Sequence, residues 1–228
     1  MKKVIFWDFD GTLVKSNQSF LSSLLKALED HNVQIPEKDC SHFLRTACSW
    51  YFPEHTYESR TGEMWWQDLL GKLREFLIRC FVPEENIPLI CSRFRQYVVT
   101  YPYEIYPDAL TALKAARDLG FENYILSNNF PELRQTVSAC GFSPYVMDVL
   151  LSSELGAEKP HAFLFSAAMQ LAGNPAQALM VGDNPAADIK GAWAAGLPAV
   201  LVHQDGPCPE ADLISPTLTG ILPFLKTF

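Results

Sequence analysis

A chain of 228 residues, 48% of them hydrophobic, is long enough to bury a full core as one large domain or two smaller ones. Its 26 acidic against 18 basic side chains leave a formal charge of −8, which opposes the phosphate backbone that dominates nucleic-acid affinity; a small phosphorylated metabolite held at a local site is not excluded. No apolar run approaches a membrane span, the run after Met1-Lys2-Lys3 is broken by Asp8 too early for a signal-peptide core, and the six cysteines lack metal-ligand spacing, so they read as buried thiols of a cytoplasmic protein.

The first element is the apolar run Val4-Ile5-Phe6-Trp7, a strand pattern buried on both faces, as in parallel sheets flanked by helices. It ends in Asp8-Phe9-Asp10-Gly11-Thr12-Leu13, where ligands bind in sheets of that class. Two acids so close repel each other unless a cation or a bound proton compensates.

From Ser16 to about Val99 the pattern is helical. Ser16 or Asn17 is placed to cap a helix carrying Phe20, Leu21, Leu24, Leu25 and Leu28 on one face. Pro36-Glu37 opens a second, with Cys40, Phe43, Leu44, Ala47 and Cys48 as its stripe. After an aromatic loop over 49–55 come the stripes Trp65, Leu69, Leu73, Phe76, Cys80 and Ile87, Ile90, Phe94, Val98. Four helices without a strand between them form an insert after the first strand.

At Tyr106-Pro107-Asp108 strands return. Asp108 is placed to cap a helix ending at Gly120, and Tyr124-Ile125-Leu126 is the next strand, terminating in Ser127-Asn128-Asn129. A helix from Pro131 to Gly141 precedes a third strand over 146–151. Lys159-Pro160 then leads into a helix that stops at Gly173. Ala178 to Val181 is a fourth strand, ending in Gly182-Asp183, with Asp188 near the start of a helix; Ala199 to Val202 is a fifth. The alternation predicts an α/β fold with a doubly wound parallel sheet, residues 1–14 and 100–228 forming the core and 15–99 an inserted all-helical cap. Beyond His203 the pattern fades, leaving a turn at Gly206-Pro207-Cys208-Pro209 and a short element over 218–225.

Three strands end in polar clusters, Asp8/Asp10, Ser127/Asn128 and Asp183/Asp188, and Lys159 follows another. In a parallel sheet those ends face one crevice. Each residue has a plainer reading as well: Lys159 as a solvated charge, Ser127-Asn128 as a helix cap, Asp188 as a partner of a helix dipole, Thr12 as support for its turn. His55, Trp65 and Trp66 read as packing or surface residues, and His161 and His203 receive no role.

Together Asp8-Phe9-Asp10-Gly11-Thr12-Leu13, Ser127-Asn128, Lys159-Pro160 and Gly182-Asp183-Asn184-Pro185-Ala186-Ala187-Asp188 resemble, in order and strand context, the four motifs of the haloacid dehalogenase-like phosphatase superfamily. The resemblance covers about residues 1–14 and 100–205 and implies a Rossmann-like core, Asp8 as nucleophile, Asp10 as general acid and base, and Mg²⁺ as cofactor. Elementary chemistry asks for the same roles. A carboxylate can accept a phosphoryl group, and two anions can react only beside positive charge. Asp8, the Asp10 carbonyl and Asp183 suit Mg²⁺, with Asp188 in or just outside that set. Lys159 pairs with Asp8 and the incoming phosphate, while Ser127, Asn128 and the amides around Gly11 donate to its oxygens.

The expected activity is hydrolysis of a small phosphomonoester through an aspartyl-phosphate on Asp8, by a monomer or homodimer. The run from Ser127 through Pro160 looks phosphoglycolate-phosphatase-like and nucleotidase-like. Lys15 stands where many capped members carry an acid. Asp10 argues against the superfamily's dehalogenases and phosphonate-cleaving members, which lack the second acid. A sugar-phosphate mutase and a non-catalytic ligand-binding protein remain as alternatives.

Overall fold

The computed structural model describes residues 1–228. Six strands, β1 (Lys3–Trp7), β2 (Phe121–Ser127), β3 (Asp148–Leu151), β4 (Gln177–Gly182), β5 (Ala199–Val202) and β6 (Leu213–Ser215), form one parallel sheet in the order β3-β2-β1-β4-β5-β6. β1 lies in the middle with β2 on one side and β4 on the other. The chain reverses direction across the sheet there, and in this class the crevice opens at such a point.

Alternation along β1 explains the layering. Val4 and Phe6 belong to the apolar layer that holds Leu164, Phe165, Ala168 and Ala192, from helices α8 (Ala162–Leu171) and α9 (Gly191–Ala194). Ile5 and Trp7 belong to the opposite layer, with α5 (Ala109–Asp118), α6 (Leu133–Ala139) and the C-terminal α10 (Leu222–Thr227). Trp7 also satisfies its indole N–H, donating to Asn123 Oδ1 at 2.9 Å. A short helix, α7 (Ser152–Leu155), follows β3.

Between β1 and α5 the four helices expected from apolar spacing are α1 (Ser19–Glu29), α2 (Glu37–Ala47), α3 (Glu63–Arg79) and α4 (Ile87–Val99). Much of each stripe is buried: Leu24 and Leu28; Phe43 and Leu44; Trp65, Leu69 and Leu73; Ile90, Phe94 and Val98. Phe20, Leu21 and Leu25 are only partly buried, while Ala27, Trp66 and Leu77, outside the stripes, are buried as well. The chain leaves the sheet and returns beside itself, the Lys15 N–H donating to the Glu104 carbonyl at 2.8 Å and the Tyr106 N–H to that of Leu13 at 3.1 Å. The Lys15 ammonium pairs with the Glu104 carboxylate. The apolar layer on the α5 side continues without a break into the insert, through Phe9, Phe130 and Phe142 to Trp66 and Phe94.

Three features depart from the sequence reading. The Asp108 carboxylate makes no cap to α5; its Oδ2 accepts from the Thr219 N–H and hydroxyl at 2.9 and 3.1 Å and ties down the C-terminal segment. β6, only three residues long, lies where the alternating pattern had faded. Asp188 sits in a single turn of wide π-helix, Pro185–Lys190, ahead of α9. All six cysteines are free, with Cys40, Cys48 and Cys208 buried. No helix is long and apolar enough to cross a membrane.

Candidate active site

The ladder continues one residue past β1, the Asp8 N–H donating to the Val181 carbonyl at 2.9 Å, so the Asp8 side chain is fixed at the rim of the sheet. Phe9 turns into the core against Tyr103 and Phe142. Asp8 and Asp10, on either side of it, both line the crevice. The chain then reverses tightly, with the Gly11 N–H donating to the Val14 carbonyl at 2.8 Å. Gly11 is required twice over: its φ is +85°, and a Cβ there would stand 2.3 Å from Asp183 Oδ2.

Lys159 is the electrostatic centre. Only 3% exposed, its ammonium donates to Asp8 Oδ1 at 2.7 Å, Asp188 Oδ1 at 2.6 Å and the Leu126 carbonyl at 2.8 Å, using all three N–H groups. The solvated-charge reading is therefore wrong for this lysine. Burial works against its charge, but the carboxylates of Asp188 and Asp8 outweigh it and hold the pKa above the ordinary lysine value.

Asp188 is fully buried, its Oδ2 accepting from the Asn184 N–H at 3.0 Å. A Cβ on Gly182 would fall 2.2 Å from that same oxygen, so the glycine makes room for the carboxylate. Asp183 Oδ1 accepts from the Thr12 hydroxyl at 3.0 Å. The carboxylates of Asp8, Asp183 and Asp188 offer oxygens all within 4.8 Å of one another. Burial, then repulsion from Asp8, pushes Asp183 up to about 6. Burial also carries Asp188 to about 7 against the pull of Lys159. Three carboxylates around one ammonium leave unbalanced negative charge, and oxygen ligands at such spacing suit a hard divalent cation such as Mg²⁺.

Asp10 is held differently. Its Oδ1 accepts from Asn17 Nδ2 at 2.8 Å and its Oδ2 from Asn129 Nδ2 at 2.6 Å. Burial, and next the charge of Asp8, raises its pKa to about 6, while the two amides oppose the rise. Ser127 is buried, its Oγ 3.4 Å from the Asn129 amide nitrogen. The Asn128 side chain is spent on the backbone of Lys159, accepting from its N–H at 2.7 Å and donating to its carbonyl at 3.0 Å. It positions the lysine and leaves Asn129 to touch the acid.

Several contributors escaped the sequence reading. Asn129 was visible beside the motif, but nothing in spacing distinguishes it from Asn128. His203, stacked on Tyr106 with ring centroids 3.7 Å apart, meets the Thr12 carbonyl with Nε2 at 3.0 Å and braces the turn. His161 accepts from the Phe163 N–H at 3.2 Å and caps α8. Trp65 and Trp66 are packing residues, whereas His55 is exposed. Glu158, fully buried, accepts at Oε1 from the hydroxyls of Ser49 and Tyr57 in the insert, while its Oε2 has no partner. Burial raises its pKa. Next to it the Tyr57 N–H donates to the Gly156 carbonyl at 2.6 Å and the Gly62 N–H to that of Ser153 at 2.8 Å.

Asp8, Asp10, Asn129, Lys159, Asp183 and Asp188 open on a crevice of about 510 Å³, walled on the insert side by Phe20, Trp50, Tyr51 and Pro53.

A haloacid dehalogenase-like hydrolase family model matches residues 2–196. Among curated proteins, a phosphoserine phosphatase of Thermus thermophilus is 40% identical over 118 residues, 51% of this chain and 47% of that protein, so the alignment spans about half of each. The mouse haloacid dehalogenase-like hydrolase domain-containing protein 3 is 25% identical over 98% of this chain and 93% of its own. The magnesium-bound HAD-hydrolase YfnB of Bacillus subtilis superposes with a TM-score of 0.73 at 18% identity, covering 98% of each chain. A 2-haloacid dehalogenase of Pseudomonas syringae gives the same TM-score at 22% identity, over 100% of this chain and 99% of that one. The fold is thus shared by phosphatases and dehalogenases alike.

Proposed function

The chain belongs to the haloacid dehalogenase-like hydrolases, and from that premise we propose that it is a Mg²⁺-dependent phosphatase of small phosphomonoesters, working through an aspartyl-phosphate on Asp8. The observation that carries the reading is Asp10, a second acid beside Asp8, gripped by two amides and facing the same crevice. Displacing a halide requires no proton donor, whereas expelling an alkoxide does.

Asp8, Asp183 and the backbone at Asp10 are the residues that would hold Mg²⁺, with Asp188 beside them. The ion would neutralise charge on the phosphoryl oxygens. Lys159 orients the Asp8 carboxylate through Oδ1. An Asp8 oxygen attacks phosphorus as the ester P–O bond breaks, and Asp10 passes its proton to the departing oxygen, releasing an alcohol. In the second half Asp10 takes a proton from water as the water oxygen attacks phosphorus. The bond to Asp8 then breaks, phosphate leaves and both acids return to their starting state. A pKa of about 6 suits a group that must give and accept within one cycle. Ser127, which lines the crevice, is the hydroxyl donor for the phosphoryl oxygens; the Gly11 and Thr12 amides already donate to the Val14 and Phe9 carbonyls, so the role expected of them falls away. Residues 15–99 act as the cap that excludes bulk water and contacts the leaving group.

The reading is tested by phosphate release from acetyl phosphate and p-nitrophenyl phosphate, with Mg²⁺ and with a chelator, in wild type and Asp8→Asn. Release that needs Mg²⁺ and vanishes in Asp8→Asn is the expected result. Equal rates with chelator, or an active Asp8→Asn protein, overturn the mechanism. With a hexose phosphate as a third substrate, isomerised sugar phosphate in place of free phosphate converts the reading to a mutase.

A further inference from the structure

The crevice is chemically divided. Its floor carries every charge it has, Asp8, Asp10, Asp183, Asp188 and Lys159. Its outer wall carries none: Phe20, Trp50, Tyr51 and Pro53 face it, and the polar groups there, such as Ser16, are neutral. Lys159 cannot serve a second anion, because its three donors are already used. Lys15, the cation nearest Ser16 in the chain, pairs instead with Glu104 at the exit from the sheet.

The aromatic wall is also packed from behind. Trp50 packs edge-on against Phe20 with centroids 4.8 Å apart and lies nearly parallel to Trp65 at 6.1 Å. Phe20 in turn meets Trp66, Phe94 and Phe130. Trp50 and Tyr51 occupy one short 3₁₀ turn, Ser49–Tyr51, whose first residue is anchored by Glu158 of the core. Tyr51 remains about half exposed, its ring tilted 46° to that of Trp50 with centroids 6.3 Å apart. Flat faces held in place this way favour a flat partner and lose little entropy on binding it.

The geometry points to a substrate whose leaving group is uncharged and carries a flat ring, the chemistry of a nucleoside 5′-monophosphate. Trp50 and Tyr51 form the ring-binding wall, and the hydroxyls of Ser16 and Tyr51 are available to a sugar. This specificity rests on the phosphatase reading above. A leaving group with a second phosphate, a carboxylate or an ammonium would give up its hydration in the outer crevice and find no counter-ion. The volume, about 510 Å³, lies within the ~300–1,000 Å³ of small-ligand sites.

The test compares adenosine and uridine 5′-monophosphates with ribose 5-phosphate, which lacks the ring, and with phosphoserine and phosphoglycolate, which add charge. Two readouts are taken: kcat/KM for phosphate release, with acetyl phosphate reporting the bare reaction, and Kd on Asp8→Asn protein from quenching of tryptophan fluorescence. At least one nucleotide is expected to exceed ribose 5-phosphate and both charged substrates tenfold or more in each readout. Trp50→Ala and Tyr51→Ala should lower the nucleotide to acetyl phosphate ratio about tenfold. Tyr51→Arg should raise the phosphoglycolate to nucleotide ratio about fivefold. Equal or better use of ribose 5-phosphate or phosphoserine, or ratios unmoved in both alanine variants, overturns the assignment while leaving the phosphatase reading intact. Selective nucleotide binding without phosphate release from any ester or from acetyl phosphate supports the ligand class and removes the catalytic reading.

Discussion

Asn17, at the start of the helical insert, donates its amide to Oδ1 of Asp10 at 2.8 Å while its own Oδ1 accepts from the Ser19 N–H at 2.9 Å, at the head of α1. The first turn of the insert is thereby coupled to the acid proposed to move protons. Asn17→Ala removes one of the two donors that favour ionised Asp10, so Asp10 titrates higher and is less well aimed. With p-nitrophenyl phosphate, which needs no acid for its first step, kcat should fall roughly 10–10²-fold with KM little changed. The ascending limb of its pH profile should move to higher pH. An unaltered profile would separate Asn17 from the chemistry.

The raised carboxyls set the pH dependence of the metal-free protein. Asp10 and Asp183 stand at about 6 and Asp188 at about 7, all above the ordinary aspartate value near ~4. Between those limits the folded chain binds more protons than the unfolded one, so stability is fully present at low pH and is lost as pH rises to 7. Chelator-treated protein should melt roughly 3 °C or more lower at pH 7.5 than at pH 5. Mg²⁺ added at pH 7.5 should restore the difference by binding only the folded state. A melting temperature that climbs over this range without metal would contradict the buried, under-compensated acids.

Lys159→Ala leaves Asp8 and Asp188 facing each other without the ammonium between them. Breaking a buried pair by removing one partner costs about 3–5 kcal/mol, and the cost should be largest at pH 8. At pH 5 Asp188, raised to about 7, holds its proton and the loss shrinks. Denaturant titrations at both pH values measure this, and equal losses would argue against ionised partners. Phosphate release should disappear at either pH.

Where the insert meets the core, Tyr57→Phe removes a hydroxyl from the buried Glu158 carboxylate and should destabilise by about 1–3 kcal/mol. Gly156→Ala acts on the same seam from the other side. The glycine has a φ of +84°, and a Cβ would stand 2.6 Å from the Glu58 backbone, so the loop over 49–62 must give way. Both variants should speed proteolysis within 49–62 and raise KM. Cleavage confined to the C-terminal segment would show that the seam had stayed closed.

Much of the framework could be read from residues alone, because burial leaves a periodic mark. The stripes of α1 to α4 and the apolar runs of β1, β2, β4 and β5 recur in the buried core. Convergence of Asp8, Lys159, Asp183 and Asp188 followed from strand polarity, since parallel strands end on one rim. What escaped was non-periodic. β6 is too short to show alternation, and Asp108 spends its carboxylate on Thr219, more than a hundred residues away. The exchange of roles between Asn128 and Asn129 depends on side-chain direction, which adjacent identical residues do not reveal. Glu158 reads as an ordinary charge until Tyr57 closes over it.

The paired exit and return at Lys15 and Glu104 has one more implication. Because the intervening ninety or so residues begin and end side by side, the sheet experiences them as a single short loop, however long they are. Such a segment can be exchanged as a cassette: grafting another set of helices between Gln18 and Ile105, with Asn17 kept on Asp10, would redirect the choice of ester while retaining the groups that break it.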